Sequence, residues 1–205
     1  VKTMSELIKA AEKVGYPKKD IVFKPPEGKG ARGVRVLTEK SDRYELLFNG
    51  RPFAKYISMD ELKSTVGKKE IPELMVMEYL DGVELKIDPV LQNGELLTCS
   101  VKNRLNFASG LAMGFEMIDD NEAIDYARNL LKHLPMDYCI DISTRGGVLM
   151  EINPRVSTYI YSENYCAPYL ALKLAMGEMS AEQIKDYQTK LPIGKKMFRY
   201  YGQMD

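Results

Sequence analysis

Near the start of the chain, Leu7, Ile8, Ala11 and Val14 recur at helical spacing behind a possible N-cap at Ser5. Gly15 and Pro17 predict the end of that first helix. The pattern then shifts to period two. IVFKPP (21–26) reads as a short strand closed by prolines, EGKGARG (27–33) as a loop and VRVL (34–37) as a second strand. Residues 60–65 fit a short helix, and ELMVMEYL (73–80) a buried strand. Asp81 and Gly82 turn the chain into VELKIDPVL (83–91), which alternates as a strand should; Asn93-Gly94 is a hairpin turn, and ELLTCSVKNR (95–104) the returning strand. From Asp119 to Leu134 the acidic start and the face of Ile124, Ala127, Leu131 and Leu134 predict a helix. YCIDIS (138–143) and VLMEIN (148–153) flank TRGG as another hairpin. YLALKLAMGE (169–178) predicts a helix ended by Gly177, and Ser180 caps one more. Hairpins outnumber crossovers, so the expected class is α+β.

Composition narrows the function. A chain of 205 residues, 45% hydrophobic, suits one globular unit of one or two lobes. Lys plus Arg and Asp plus Glu are balanced at 29 each, which argues against nucleic acid as a bulk-charge partner but allows a local basic pocket. The apolar runs are too short to span a bilayer and no signal peptide is visible, so the expectation is a cytoplasmic protein with no membrane partner. Cys99, Cys139 and Cys166 are scattered without metal-ligand spacing and read as reduced thiols. A single histidine, His133, disfavours His-dependent triads and multi-histidine metal sites. The chain opens at Val1 directly in a helical pattern, as a piece of a longer protein would.

Three stretches carry candidate chemistry. GKGARG (28–33) places Gly28, Gly30 and Gly33 in G-x-G-x-x-G spacing, but a strand follows it where a dinucleotide fold has a helix. Strand–loop–strand is the shape of a flap over phosphates, and Lys24, Lys29, Arg32 and Arg35 supply cations; the alternative is a glycine-rich surface hairpin. The H-R-D and D-F-G motifs of protein kinases are missing. In VMEYLDGVELKID (76–88), backbone groups from Glu78 through Tyr79 to Leu80 fit an adenine slot and Glu84 an acceptor for ribose hydroxyls; the alternative is a hairpin with solvated acids on one face. In VLMEINPRVS (148–157), Glu151 and Asn153 stand two apart and share a strand face, which the parity of Asp141 on the partner strand can join. Two acids and an amide fit two magnesium ions bridged to a triphosphate, with Arg155 placed to meet the transferred phosphoryl group.

FKP with its glycine loop, MEYLDGVELKID and LMEINPRVS, in this order and at these distances, resemble the ATP-grasp superfamily, in particular its carbamoyl-phosphate synthetase large subunit and biotin carboxylase branch. The resemblance covers nearly the whole chain. It implies two α+β lobes around ATP: residues 1–79 with the flap, and residues 80–205 with the metal-binding hairpin. It assigns phosphate contacts to Lys24 and to the flap with Arg32, the adenine hinge to residues 78–80, ribose to Glu84, and metal to Glu151, Asn153 and Asp141. Lys102 and Arg104 fall where the family often keeps a basic residue near the reacting phosphate, beside the role read above for Arg155. The implied cofactors are ATP and Mg2+, two ions, with Mn2+ as a substitute. The implied reaction is a ligation in which a small carboxylate, activated as an acyl phosphate, is attacked by an amine or similar nucleophile; the alternative is a non-catalytic ATP-binding module or partner subunit. Thr158 stands where the synthetases carry a further arginine, which argues against carbamoyl-phosphate synthesis itself. The family's N-terminal domain, which helps form the acceptor site, is not recognisable, so the expectation is that it lies elsewhere in the same protein or in a partner subunit.

Overall fold

The structure, a computed structural model, describes residues 1–27, 32–40, 42, 44, 55–105, 107–108, 111–158 and 161–199. The chain divides into two compact units, Val1–Leu80 and Asp81–Asp205.

In the first unit, helix α1 (Met4–Val14) starts two residues earlier than Ser5 as N-cap would have it. Thr3 holds the extended backbone of an N-cap, and its side chain accepts from the Glu6 amide at 3.2 Å. Gly15, at φ 122°, ends the helix. Strands β1 (Ile21–Lys24), β2 (Arg35–Leu37), β3 (Tyr56–Ile57) and β4 (Met75–Glu78) form a sheet in the order β3-β2-β1-β4, with only β2 and β3 parallel. Helix α2 (Met59–Val66), capped by Ser58, contributes Met59 and Leu62 to a core with Leu7, Ala11, Ile21, Phe23 and Leu37. The expected buried strand at 73–80 is only partly realised: β4 is four residues long and half exposed, and among the described residues it pairs with β1 alone, at the edge of the sheet.

The second unit is built on an antiparallel sheet. Its strands are β5 (Glu84–Gln92), β6 (Glu95–Arg104), β9 (Gly114–Ile118), β10 (Tyr138–Cys139), β11 (Asp141–Arg145), β12 (Val148–Asn153) and β13 (Lys196–Phe198); β7 (Phe107–Ala108) and β8 (Leu111–Ala112) pair separately. The order is β12-β11-β5-β6-β9-β13, with β10 against β5. Asn93 and Gly94, both at positive φ, close the β5–β6 hairpin as their sequence demands. Period two then sorts the residues. Ile87, Val101 and Ile142 face helix α3 (Asn121–Leu131), which presents Ile124, Ala127 and Leu131. On the other face, Val90 and Leu97 are covered by α4 (Ala167–Ala175) and α5 (Ala181–Lys185). Farther along that second face the side chains become polar, and there the candidate site lies.

Several elements depart from their sequence reading. Helix α3 ends at Leu131 rather than Leu134, and its N-cap is Asp120, whose side chain accepts from the Ala123 amide at 2.9 Å. Thr144 and Arg145 belong to β11, so the turn before β12 is only Gly146-Gly147. Gly146, at φ +55°, has room for no side chain, since a Cβ there would stand 2.3 Å from the Asp81 carbonyl oxygen. The short β9 and β13 have too little pattern to be read alone. A sequence-invisible device completes β6: its pairing with β9 covers Val101–Arg104, and the Gln188 side chain serves the backbone beyond. Gln188 accepts from the Cys99 amide at 2.8 Å and donates to the Cys99 carbonyl at 3.1 Å, as a neighbouring strand would.

Candidate functional site

Register gathers the chemistry. Glu84, Lys86 and Asp88 of β5 point to one face. Arg104, Lys102 and Ser100 of β6 lie beside them, as do Arg145 and Ser143 of β11. Across the next gap Asp141 stands opposite Asn153, and Ser143 opposite Glu151. The parity expected of Asp141, Glu151 and Asn153 is therefore the parity found.

The charges fall into three linked sets. Glu84, buried rather than solvated, accepts from two guanidinium groups: Arg104 on one oxygen and Arg145, at 3.0 Å, on the other. A carboxylate accepts about four hydrogen bonds, so this pairing leaves capacity for further donors. Asp88 and Lys102 form a buried ion pair at 2.8 Å, also against the solvated-acid reading. Burial pushes the Asp88 carboxyl above the usual carboxylate range, and the Lys102 charge opposes that shift. The same ammonium donates to Ser157 Oγ at 3.0 Å and the Thr158 carbonyl at 2.6 Å, tying down the segment that follows Arg155.

The third set surrounds Asp141. Its carboxylate oxygens lie 3.0 and 3.2 Å from Lys86 Nζ, and one of them accepts from Arg155 Nη1 at 3.3 Å and Asn153 Nδ2 at 3.4 Å. Lys86 also reaches Ser143 Oγ and stands 3.6 Å from Glu151, which in turn accepts from Ser143 at 3.3 Å. Partial burial raises the Glu151 carboxyl, but hydrogen bonds from Asn153, Ser143 and Lys86, with the Lys86 charge, outweigh it and hold Glu151 below its ordinary value. Carboxylate, amide and hydroxyl oxygens are the donors a hard divalent cation takes. Among the described residues no three His, Cys, Asp or Glu side chains assemble into a metal cluster. Glu151 and the Asn153 side-chain oxygen are donors of the type that magnesium takes alongside phosphate and water.

The other predicted residues belong to the Val1–Leu80 unit. Lys24 closes β1 opposite Met75, and Glu78 closes β4 opposite Ile21. Lys55 stands over the Tyr79 ring at 5.7 Å, and Leu80 is partly buried. Gly33, at φ +75°, lies so close to Pro25 that a Cβ would come within 2.7 Å of its ring, while Arg32 beside it is exposed. Gly28 and Gly30 lie outside the described residues. Sequence reasoning missed Lys86, Ser143 and Arg145 as site members; the signal was the alternation of ELKID and DISTR, which puts them on the faces of Glu84 and Asp141.

The family model described as "ATP-grasp in the biosynthetic pathway with Ter operon" matches residues 70–195. The chain belongs to this ATP-grasp family. Solved ATP-grasp structures share its fold. N5-carboxyaminoimidazole synthase from Aspergillus clavatus, in complex with ADP, aligns at TM-score 0.60 and 14% identity over 89% of this chain and 46% of its own. An ADP complex of N5-carboxyaminoimidazole ribonucleotide synthetase gives 0.56 and 16% over 96% and 47%. The biotin carboxylase domain of Hydrogenobacter thermophilus 2-oxoglutarate carboxylase, a MgADP complex, gives 0.56 and 15% over 94% and 42%. The ATP-grasp chain thus spans under half the length of these structures. Comparison with curated proteins gave no match. No helix among the described residues is long and apolar enough to cross a membrane.

Proposed function

We propose that this ATP-grasp chain binds magnesium-ATP and forms the nucleotide-handling part of a ligase that activates a carboxylate as an acyl phosphate for attack by an amine or similar nucleophile. The observation that carries the reading is the single sheet face that gathers Glu84, Lys102, Arg104, Asp141, Glu151 and Asn153 from four strands. ADP and MgADP in the structures of similar fold support the choice of ligand.

In this reading Glu84 accepts ribose hydroxyls, its carboxylate already fixed by Arg104 and Arg145. Glu151 and the Asn153 side-chain oxygen would hold the divalent ion, which would supply positive charge to offset that of the phosphates. Arg155, exposed, donates through Nη1 to Asp141 and to the Val156 carbonyl, which leaves its Nη2 and Nε groups to meet a phosphoryl oxygen. Lys102 is wholly buried, so it acts by fixing Ser157 and Thr158, and with them the end of the Asn153–Arg155 segment. Lys24, Arg32, the glycines at 28, 30 and 33, and residues 78–80 supply the phosphate and adenine contacts of the first unit. Acceptor recognition falls to parts of the whole protein beyond this chain, whether a further domain or a partner subunit.

The test is isothermal titration with ATP, with and without magnesium, on the native chain and Glu151→Gln. The variant should fold normally and lose about 1–3 kcal/mol of magnesium-dependent affinity, the worth of a charge-assisted contact. Equal affinity at saturating magnesium would remove Glu151 from the metal site. Hydroxamate formation from a carboxylate in hydroxylamine, assayed on the whole protein, separates a ligase from a module that only binds ATP.

A further inference from the structure

Asp141 is the most deeply set carboxylate of the proposed metal site, its side chain 2% exposed, while Glu151 is 56% exposed. Yet Asp141 is already served by cations. Lys86 Nζ sits 3.0 Å from one of its oxygens and 3.2 Å from the other, and Arg155 lies 3.3 Å from the second. The same ammonium is 3.6 Å from Glu151, so it stands between the two acids where a bridging ion would stand. Magnesium requires oxygens at about 2.0–2.1 Å in a near-octahedral set. An ion bound that closely to Asp141 would meet the Lys86 charge at a separation where like charges in a partly buried site repel strongly. The charge balance agrees: two carboxylates face two cations, and the group is neutral before any metal arrives.

We propose that Lys86 is a built-in cation that fills one of the two metal positions beside Asp141 and Glu151, so that this chain takes one divalent ion, through Glu151 and Asn153, rather than the two its resemblance implied. The inference rests on the nucleotide-binding reading above for the ion's role, but not for its effect on metal affinity. Lys86 makes Asp141 a partner of lysine and arginine, a positioning group for Arg155, and leaves the half-exposed Glu151 as the carboxylate open to metal.

The experiment counts bound Mn2+ by electron paramagnetic resonance, with and without ADP, in the native chain and in Lys86→Met, Lys86→Gln and Lys86→Arg, with thermal melting to verify folding. The native chain should bind one Mn2+ per ADP. Lys86→Met and Lys86→Gln should gain a second ion and, without nucleotide, bind Mn2+ about tenfold tighter, a change of about 1.4 kcal/mol. Lys86→Arg, which keeps the charge, should resemble the native chain. Lys86→Gln covers a Met variant that does not fold, since its amide can still donate to Asp141. Two ions per native chain, or folded Met and Gln variants with unchanged Mn2+ affinity, would overturn the proposal. A native chain that binds no ADP while the Met or Gln variant gains Mn2+ would overturn the nucleotide reading and leave the Lys86 inference standing.

Discussion

Replacing Lys102 with Met should expose how much the site depends on its buried ion pair. The methionine fills similar volume without the ammonium, and Asp88, 3% exposed, loses the cation that stands 2.8 Å away. Removing one partner of a buried pair costs about 3–5 kcal/mol, because the other charge is left uncompensated. Proton uptake sets a ceiling on the charge part. Three units separate pH 7 from the ordinary aspartate value of about 3.9, at about 1.4 kcal/mol each, so neutralising Asp88 costs about 4 kcal/mol at pH 7. At pH 5 the same step costs about 1.5 kcal/mol. The sign follows from linkage: with Asp88 raised in the folded variant, the native state holds the extra proton, and stability falls as pH rises above about 3.9. The lost contacts to Ser157 and Thr158 add about 1–3 kcal/mol that should not vary with pH. Urea unfolding of both chains at pH 7 and pH 5 measures this. Because burial already raises Asp88 in the native chain, the deficit should shrink by at most about 2–3 kcal/mol at pH 5, and adding Asp88→Asn to Lys102→Met should recover most of it at pH 7. A deficit under about 1 kcal/mol at pH 7, or one equal at both pH values, would refute the buried-pair argument.

Three further perturbations test other parts of the structure. Gly146→Ala should cost clearly more than Gly147→Ala, because both sit at positive φ but only the first meets the Asp81 carbonyl; the left-handed backbone alone costs about 1–2 kcal/mol, so thermal melts that rank the two equally would deny the close approach. Gln188→Ala should lose about 1–3 kcal/mol by stranding the Cys99 amide and carbonyl, with faster hydrogen exchange at that amide; unchanged exchange would mean that the clamp is dispensable. Glu84→Gln leaves Arg104 and Arg145 facing an uncharged amide and should weaken ATP binding together with stability, whereas a loss of stability alone would remove Glu84 from the ribose contact.

By itself the sequence determined what local rules can carry. Period two in ELKID and VLMEIN put Glu84 with Asp88, and Glu151 with Asn153, on common faces whatever lay around them. Asn93-Gly94 closed its hairpin because both residues tolerate positive φ, and Ile124, Ala127 and Leu131 declared the buried stripe of α3. The motif order was distinctive enough to bring out the ATP-grasp resemblance. What the sequence left open was partnership between strands distant along the chain. ELMVMEYL looked buried because apolar residues do not announce whether one neighbour or two will flank them, and β4 proved to be an edge. The alternation of ELKID places Lys86 on the face of Glu84 and Asp88 but does not distinguish a held ammonium from a solvated one. Only the register of β5 against β11, and of β11 against β12, brings its ammonium among Asp141, Ser143 and Glu151. The same holds for Asp88 and Lys102, whose burial is a property of the assembled face and of the segment laid over it. Alternation is fixed by the geometry of one strand; the charge state and availability of each carboxylate are fixed by neighbours that only folding supplies.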